Sequence, residues 1–505
     1  MQPLDQLHRP GAGGYVLPSL QVAPQQGLPA AYARENPLKI PELTEHDVVR
    51  EFSRRGDANT SVDTANLFPL GSCTMIYNPI QIRNVAPFAK IHPRQPEYTI
   101  QGALKLLYDL TQIEVELNGM AAGTLQPCAG AHSELAAILM VAEFYRQTEG
   151  SNRKIVICPD SAHGTNPATA AMVGYQVHQI NSTPDGLFDL ESLIGFMGEK
   201  NKGSARGYDV AAIMITQPST FGIYDPNIKN ISKVMSNYGA QIYMDGANLI
   251  ALVGRVLPGS LGITVIHNNE HKTLGVPHGG GGPGAGFVGV AEHLVPYLPI
   301  PVLALAGNEV VLDYNRPHSI GSISSALTGN FLANVMAYQY TKLMGADGLR
   351  EACGVSVLTG AYMHHKLSEI LEPAFRTPVM HEGIVIFDKD AQNIGVPIDH
   401  DGSPMRSGER QVDMTDLVKM VISGEFYAPT IGFPSIHRGE KVMGSILSEP
   451  THSARKEDID QFVAGFSSAL QTAREHPEIA ATAPNGARIM QVDANRKPVF
   501  PRFSL

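Results

Sequence analysis

The chain has 505 residues, of which 43% are hydrophobic and 17% are charged. These proportions are typical of a globular protein in water, and the length predicts roughly two to three domains. The formal net charge of −10 argues against sequence-independent nucleic-acid binding, which depends on clustered lysine and arginine. Residues 1–24 lack a signal-peptide pattern, and no stretch approaches the ~20 apolar residues that span a bilayer. The sequence therefore predicts a cytoplasmic protein that binds neither nucleic acid nor membrane.

The four cysteines lie far apart in the sequence, at Cys73, Cys128, Cys158 and Cys353. Metal sites and small disulfide frameworks place cysteines at short, repeated spacings, and this chain has none. We therefore expect reduced thiols in a reducing compartment and no metal site.

Residues 1–95 are predicted to form an N-terminal arm and a pocket loop. Residues 1–45 are rich in Pro, Gly and Gln, a composition that fits an extended arm and a disordered segment equally well. Residues 71–79 gather small polar groups, and we interpret them as a loop that lines a substrate pocket with Ser72, Cys73 and Thr74. A catalytic thiol at Cys73 would need a neighbouring base, which the sequence does not identify.

Residues 96–345 alternate between helical and strand patterns. Apolar residues at helical spacing follow Leu104 and Leu135, and short apolar runs predict strands at 155–158, 210–215, 242–244, 263–266 and 287–290. Short buried strands that alternate with helices predict an α/β domain with a mostly parallel sheet. Ligands of such sheets bind beyond the carboxyl ends of the strands.

Residues 346–505 show a different pattern. Helical stretches at 349–371, 412–423 and 456–474 flank short strands such as 384–387. The sequence therefore predicts a smaller C-terminal α+β domain after the larger α/β domain.

An acid and a lysine follow neighbouring predicted strands. Asp245 ends one strand and Lys272 comes just after the next. A pyridoxal 5'-phosphate (PLP) site needs this pair, because the lysine forms a Schiff base with the cofactor and the acid keeps the pyridine nitrogen protonated. Lysine is usually a surface residue and Asp-Gly is a common turn. The cofactor interpretation is favoured by His271, Thr273 and the glycines at 279–282, since glycine lets the backbone approach a ligand.

A glycine turn precedes the helix that contains Leu135. Such a turn can bind a phosphate with free backbone amides and the positive end of the helix dipole, here at Ala129, Gly130 and Ala131. His132 is a candidate to stack on the cofactor ring. A histidine at a helix start without any role is the competing interpretation.

Three further positions are candidates for the pocket. Ala247 is small enough to lie under the ring, and the hydroxyl of Thr216 could bond the phenolic oxygen of the cofactor. Residues 160–167 form a polar loop after a strand, and loops of this kind line substrate pockets, here with His163, Thr165 and Asn166. Structural turns are the alternative for Thr216 and for this loop.

Taken together, these residues resemble a known family. The chain is similar to glycine dehydrogenase (decarboxylating), the P-protein of the glycine cleavage system, and within it to the second subunit of the split form. The resemblance covers nearly the whole chain. The matching stretches are 69–75, 124–127, 129–132, 160–167, 245–248, 271–273, 277–284 and 449–451.

The resemblance implies a fold-type I PLP enzyme, like aspartate aminotransferase. Such an enzyme would decarboxylate glycine and pass the aminomethyl group to the lipoyl arm of H-protein. It would work with glycine dehydrogenase subunit 1 in a hetero-oligomer that holds two copies of each subunit. Lys272 would be the Schiff-base lysine, Asp245 the partner of the pyridine nitrogen and His132 the stacking group.

The chain departs from the usual family residues at several positions, which we expect to lie around the pocket and not in the core. A divergent paralogue that uses PLP on another amino acid is therefore an alternative. A non-catalytic partner subunit is a second alternative, against which the intact Lys272 and Asp245 argue. The departing residues are Ile76, Gln217, Ser219, Ile250, Asn268, Asn269, Glu270 and Leu274.

Overall fold

The computed structural model of the chain describes most residues between 40 and 484. The described ranges are 4–13, 40–58, 60–88, 90–92, 95–150, 153–201, 204–277, 284–324, 329–396, 410–422 and 426–484, with residues 19, 32, 34 and 36. Two units can be distinguished, one containing helix α1 (Glu45–Ala58) and the other spanning Val62–Ala483. The predicted arm at 1–45 lies mostly outside the described residues, and so does the glycine run at 279–282.

The first part of the larger unit alternates helices and strands. Its elements are α2 (Ile80–Arg83), α3 (Gln101–Asn118), β1 (Ala122–Thr124), α4 (Gly130–Thr148), β2 (Ile155–Pro159), α5 (Thr165–Val173), β3 (Gln176–Ile180), α6 (Leu190–Gly198), β4 (Lys200–Asn201), β5 (Ser204–Ala205), β6 (Val210–Thr216), α7 (Ile228–Asn237), β7 (Gln241–Gly246), β8 (Val265–Asn269), α8 (Glu270–Thr273) and β9 (Gly286–Val290).

Among the described residues, seven of these strands form one sheet in the order β1-β9-β8-β7-β6-β2-β3. Strands β3, β2, β6, β7 and β8 are parallel, whereas β9 is antiparallel to both β8 and β1. The central strands β6, β7 and β8 are almost wholly buried, because helices cover both faces of the sheet. The predicted α/β fold with a mostly parallel sheet is confirmed.

The register of the parallel strands brings their carboxyl ends together. Thr216 at the end of β6 pairs with Asp245 near the end of β7, and Asp245 pairs in turn with His267 in β8. Helix α8, which carries Lys272, begins at the residue after β8. The candidate residues of three strands therefore lie along one edge of the sheet.

Two edge features of the sheet were not predicted. Strand β3 contains three polar residues among its five and is mostly exposed. It therefore lacks the continuous apolar run that predicts a buried strand. The antiparallel direction of β9 is also invisible in its composition, because buried strands of either direction are apolar.

The second part of the larger unit contains a hairpin and a smaller sheet. The elements are β10 (Val302–Ala306), β11 (Glu309–Asp313), α9 (Phe331–Leu367), β12 (Glu372–Pro373), β13 (Gly383–Phe387), α10 (Lys389–Gln392), α11 (Met414–Ile422), β14 (Thr430–Ile431), β15 (Ile436–Arg438), β16 (Lys441–Ser448), α12 (Lys456–Glu475) and α13 (Pro477–Thr482). Antiparallel pairing joins β12, β13, β16 and β14 in that order, and β15 also pairs with β16.

The long helix α9 runs across the predicted boundary between residues 345 and 346. Its backbone leaves the helical conformation at Gly345, where φ is 63°. The division at this glycine into a larger and a smaller domain stays a prediction. None of the helices in the described residues combines the length and the apolar content that crossing a bilayer requires.

Candidate active site

Asp245 is a buried acid at the carboxyl end of β7, with only 4% of its surface exposed. Its Oδ1 accepts a hydrogen bond from the Ala247 N–H at 3.0 Å and lies 3.6 Å from His267 Nε2. Burial lowers the pKa of His267, so that ring is neutral at physiological pH and does not balance the carboxylate. A buried carboxylate without a charged partner is unfavourable. Asp245 is therefore suited to pair with a cationic group of a bound ligand.

Lys272 lies on the short helix α8, directly after the strand next to β7. Its Nζ donates a hydrogen bond to the carbonyl oxygen of Ser72 at 2.8 Å. Burial lowers the pKa of His163, Asp245 opposes this effect, and Lys272 adds to it. The charges of both Asp245 and Lys272 therefore act on the His163 ring.

The start of α4 faces the end of β8. Ala129 precedes the helix in an extended conformation, and a Cβ atom added to Gly130 would lie 3.0 Å from the side-chain amide of Asn269. The first turn of an α-helix leaves its amide groups without partners inside the helix. His132 is partly buried, and its Nδ1 accepts a hydrogen bond from the Cys128 N–H at 3.2 Å. A larger residue at Gly130 would therefore crowd Asn269, and the phosphate-binding role of this turn stays a prediction.

Several buried polar atoms along this edge have no hydrogen-bond partner among the described residues. They belong to the strand ends and to α8, and they are Thr216 Oγ1, His267 Nε2, Asn269 Oδ1 and Thr273 Oγ1. Buried polar atoms in folded proteins are nearly always hydrogen-bonded. Their positions beside Asp245 and Lys272 therefore fit a polar ligand such as PLP.

Asn166 and Thr165 form hydrogen bonds with the buried acids Glu134 and Asp245. Asn166 is fully buried and donates to Glu134 Oε2 at 2.9 Å and to Asp245 Oδ2 at 3.3 Å, and Thr165 Oγ1 donates to Glu134 Oε1 at 2.6 Å. Burial raises the pKa of Glu134 to about 7, and the charge of Asp245 adds to this effect. Asn166 is therefore placed to orient Asp245, and its predicted position in the substrate pocket stays a prediction. Glu134 was not among the candidate residues, because its nearness to Asp245 in the fold could not be predicted from their spacing in the sequence.

A second set of buried polar groups faces Lys272 from the smaller sheet. Glu382 Oε2 accepts the Ser72 N–H at 2.7 Å, and Glu449 Oε2 accepts the Thr74 N–H at 2.9 Å. Asn248 Nδ2 donates to Glu449 Oε2 at 3.3 Å and lies 3.2 Å from His381 Nε2. Sequence reasoning missed the His381 and Glu382 pair, which had no motif to mark it. Asn248 and Glu449 did belong to stretches that match the family.

Cys73 lies between these two loop contacts and is not an activated nucleophile. Burial raises the pKa of its thiol to about 11, even though the charge of Lys272 acts in the opposite direction. A thiol with a raised pKa carries little thiolate at neutral pH. The absence of a catalytic thiol from residues 71–79 is consistent with this environment, and their position as a loop over the pocket stays a prediction.

The prediction that the family departures lie around the pocket is wrong for several of them. Ile76, Ile250 and Leu274 are all buried in the largest hydrophobic cluster among the residues that the structure describes. Gln217 is also buried and exchanges two hydrogen bonds with the backbone of Asp225. A segment that lies beside a pocket still points some of its side chains into the core. The position of these residues next to site residues in the sequence therefore did not show which way their side chains point.

Ser219 and Asn269 remain near the strand ends. Ser219 lies in the turn after β6, where its Oγ accepts the Phe221 N–H at 3.3 Å. Asn269 packs against Gly130, as described above. These two departures therefore do not show by themselves a changed substrate.

Glu270 is the most unusual of the departing residues. Its side chain is fully buried, and neither carboxyl oxygen has a hydrogen-bond partner among the described residues. Burial raises its pKa well above the ordinary value, and Glu114 adds to this effect. Glu114 is itself buried, with a pKa raised by burial to about 7, and accepts hydrogen bonds from Asn268 at 2.7 Å and Asn118 at 3.3 Å. Glu114 and Glu270 are thus two buried acids whose charges act on each other in the interior next to α8.

We expect Glu270→Leu to increase the stability of the protein by about 1–4 kcal/mol at pH 8. The folded chain holds the Glu270 proton more tightly than the unfolded chain does. Raising the pH above the ordinary glutamate pKa of ~4.3 therefore lowers the free energy of unfolding of the wild-type protein. The leucine variant has no carboxyl group at this position and does not show this decrease. Urea unfolding at pH 5 and pH 8 measures the effect, which should be larger at pH 8. Glu116→Leu on the exposed side of α3 is the control, and a loss of stability at both pH values for Glu270→Leu would contradict the expectation.

The fold is also found in a solved enzyme. The crystal structure of the glycine decarboxylase (P-protein) of the glycine cleavage system, in an inhibitor-bound form, superposes with a TM-score of 0.68 at 20% sequence identity. The match covers 88% of this chain and 93% of that chain. At this identity the likeness defines the fold, so the chain is an α/β protein of the P-protein fold.

Curated relatives and a family model define the family. A relative from Listeria innocua, named probable glycine dehydrogenase (decarboxylating) subunit 2, is 39% identical over 97% of this chain and 96% of its own. A relative of the same name from Thermosipho africanus is 39% identical over 98% of both chains. A family model described as glycine cleavage system P-protein matches residues 18–309. The chain belongs to the glycine cleavage system P-protein family.

Proposed function

We propose that this chain is the PLP-dependent subunit that decarboxylates glycine in a glycine cleavage system. The aminomethyl group that remains would pass to the lipoyl arm of H-protein. The observation that carries the proposal is the position of Lys272 and Asp245 at the carboxyl ends of the neighbouring strands β8 and β7. The name shared by relatives that align over nearly the whole chain supports the choice of reaction.

The residues of the site fit PLP in three places. Lys272 would hold the cofactor covalently, Asp245 would keep a proton on the pyridine nitrogen, and the amides from Gly130 onward would bind the phosphate. PLP, when bound, supplies the electron sink that accepts the electron pair of the bond to the departing carboxylate. Asn166 and the Ala247 N–H hold the Asp245 carboxylate in place. The predicted stacking role of His132 belongs to this proposal, as does a hydrogen bond from Thr216 to the cofactor.

The partners also belong to the proposal. The relatives are named as a second subunit, which supports a hetero-oligomer with glycine dehydrogenase subunit 1. Two copies of each subunit, a lipoylated H-protein as acceptor and a cytoplasmic location complete the proposed arrangement.

The divergent paralogue is less well supported than the sequence suggested. Its argument was a changed pocket, yet Ile76, Ile250 and Leu274 lie in the hydrophobic core. The side-chain amide of Gln217 forms hydrogen bonds with the carbonyl and the N–H of Asp225, so these atoms are not available to bind a substrate. These departures bear on packing, so glycine remains the substrate of choice.

Exchange of labelled bicarbonate into the carboxyl group of glycine tests the proposal. We expect exchange only when this chain, a subunit 1 and lipoylated H-protein are all present, because the chain supplies one half of the split enzyme and no lipoyl group. Mixtures that lack one component, and a mixture with Lys272→Ala, serve as controls. Formation of a new cofactor absorption band by the chain alone with another amino acid, without a response to glycine, would favour the paralogue instead.

A further inference from the structure

The carbonyl of Ser72 is the direct hydrogen-bond partner of the Lys272 amine. The Nζ to oxygen distance is 2.8 Å. The N–H of the same Ser72 donates to Glu382 at 2.7 Å, and the Thr74 N–H, two residues on, donates to Glu449 at 2.9 Å. Backbone groups of one short loop thus stand between the lysine and two buried carboxyl groups.

The loop is held in this conformation from the side of the smaller sheet. Ser72 and Thr74 have φ values of 61° and 47°, a left-handed conformation that is unfavourable for residues other than glycine. Leu70 forms a bridge with Ser448 at the end of β16, and Thr430 Oγ1 donates to the Gly71 carbonyl at 2.8 Å. A strained backbone persists only where its surroundings determine it, and such sites are often functional.

The groups near the two carboxyls are suited to a cation. Glu382 and Glu449 are almost completely buried, and the nearest ligand-type atoms of these two residues and His381 lie within 4.8 Å of one another. Burial raises the pKa of Glu382, Glu449 adds to this effect, and Lys272 opposes it. Burial also lowers the pKa of His381 to about 3, with a contribution from Lys272, so that ring is neutral. The charge of Lys272 lowers the pKa of both carboxyls.

The surroundings of Lys272 contain further ionisable groups besides these two carboxyls and His381. Burial dominates the pKa of each of them, and the charge of Lys272 acts on each as well. They are Cys73, Glu134, His163 and His267, and Asp245 acts on three of these groups as an additional acid. Two of these groups are histidines with lowered pKa values and one is a thiol with a raised pKa. The groups around the lysine that can become negatively charged and balance a cation are therefore mainly carboxyls.

We propose that the Ser72 carbonyl, with Glu382 and Glu449 behind its loop, is an ammonium-binding site that receives the Lys272 amine whenever this amine is not bonded to the cofactor. The inference deepens the proposed function, because a cofactor-bound lysine must leave when an amino acid takes its place. Protons balance in this exchange: the incoming ammonium group gives up two of its three protons as its nitrogen forms the double bond to the cofactor, and Lys272 Nζ, which carries one proton in the protonated double bond, gains two and leaves as an ammonium. Glu382 and Glu449 are positioning residues in this role, since they act through Ser72 and Thr74.

The chemical reactivity of Lys272 in the cofactor-free protein tests the proposal without PLP. Amines react with acetic anhydride only when they are deprotonated, so trace acetylation of Lys272 is followed by mass spectrometry as a function of pH. In the double variant Glu382→Gln, Glu449→Gln the midpoint of this profile should fall by about one pH unit. Glutamine keeps an acceptor oxygen for the Ser72 and Thr74 amides. The two single variants replace the double variant if it does not fold.

Glu351→Gln, on an exposed position of α9, is the matched control and should keep the wild-type midpoint. A midpoint that stays unchanged or rises in the double variant overturns the proposal. The rate at which PLP attaches to the same proteins, measured against pH, should shift in the same direction. Failure of the wild-type chain to attach PLP would overturn the proposed function, and the acetylation profile would still decide the ammonium site.

Discussion

Lys272→Ala is expected to abolish covalent attachment of PLP. The purified wild-type chain should be yellow with its cofactor, and borohydride should fix the cofactor permanently to Lys272, because reduction turns a lysine–cofactor double bond into a stable single bond. The variant keeps Asp245 and the start of α4, so it should bind PLP only reversibly. Mass spectrometry after borohydride treatment measures the difference.

Lys105→Ala is the control for this experiment. Lys105 is an exposed lysine on α3 that pairs with Asp109, outside the group of residues around Asp245. This control should keep the full amount of fixed cofactor. If Lys272→Ala still carried PLP fixed by borohydride, another amine would hold the cofactor and the assignment of Lys272 would be wrong.

Asp245→Asn should retain PLP and lose about 100-fold or more of its turnover. An amide is neutral and cannot hold the proton on the pyridine nitrogen, so the cofactor becomes a weak electron sink. Asparagine has nearly the same shape and can still accept the Ala247 N–H, which separates the loss of charge from a loss of structure. The bicarbonate exchange rate with saturating partners measures the effect.

Asp347→Asn provides the comparison, since Asp347 is an exposed acid on α9, away from the strand ends. Its substitution should leave exchange close to the wild-type rate. Near-normal exchange by Asp245→Asn would contradict the role given to Asp245.

The pairing of Lys272 with Asp245 could be predicted because it depends on regular structure. In a parallel sheet, residues that follow neighbouring strands converge on one edge, so two strand ends and their spacing were sufficient. The turn before α4 was predictable for the same reason, since a glycine before an apolar helix marks a helix start. These positions depend on local pattern together with the general topology of α/β proteins.

Glu382 and Glu449 could not be predicted in the same way. They contact Ser72 and Thr74 across 310 and 375 residues of sequence, and no period or motif links such distant positions. The buried acids Glu114 and Glu270 were hidden for a different reason. A glutamate side chain is expected to be exposed to solvent. Only the packing of α3 against the core shows that the Glu114 side chain is buried.

The site is assembled from parts of the chain that leave the ribosome at very different times. Lys272 and Asp245 emerge with the central strands, whereas Glu382 and Glu449 emerge later, with the smaller sheet. Chains are synthesised from the N-terminus, and early segments can begin to fold before later ones exist. The loop that contacts the Lys272 amine therefore acquires its two carboxyl partners only after the smaller sheet has been synthesised, more than 100 residues after the lysine itself.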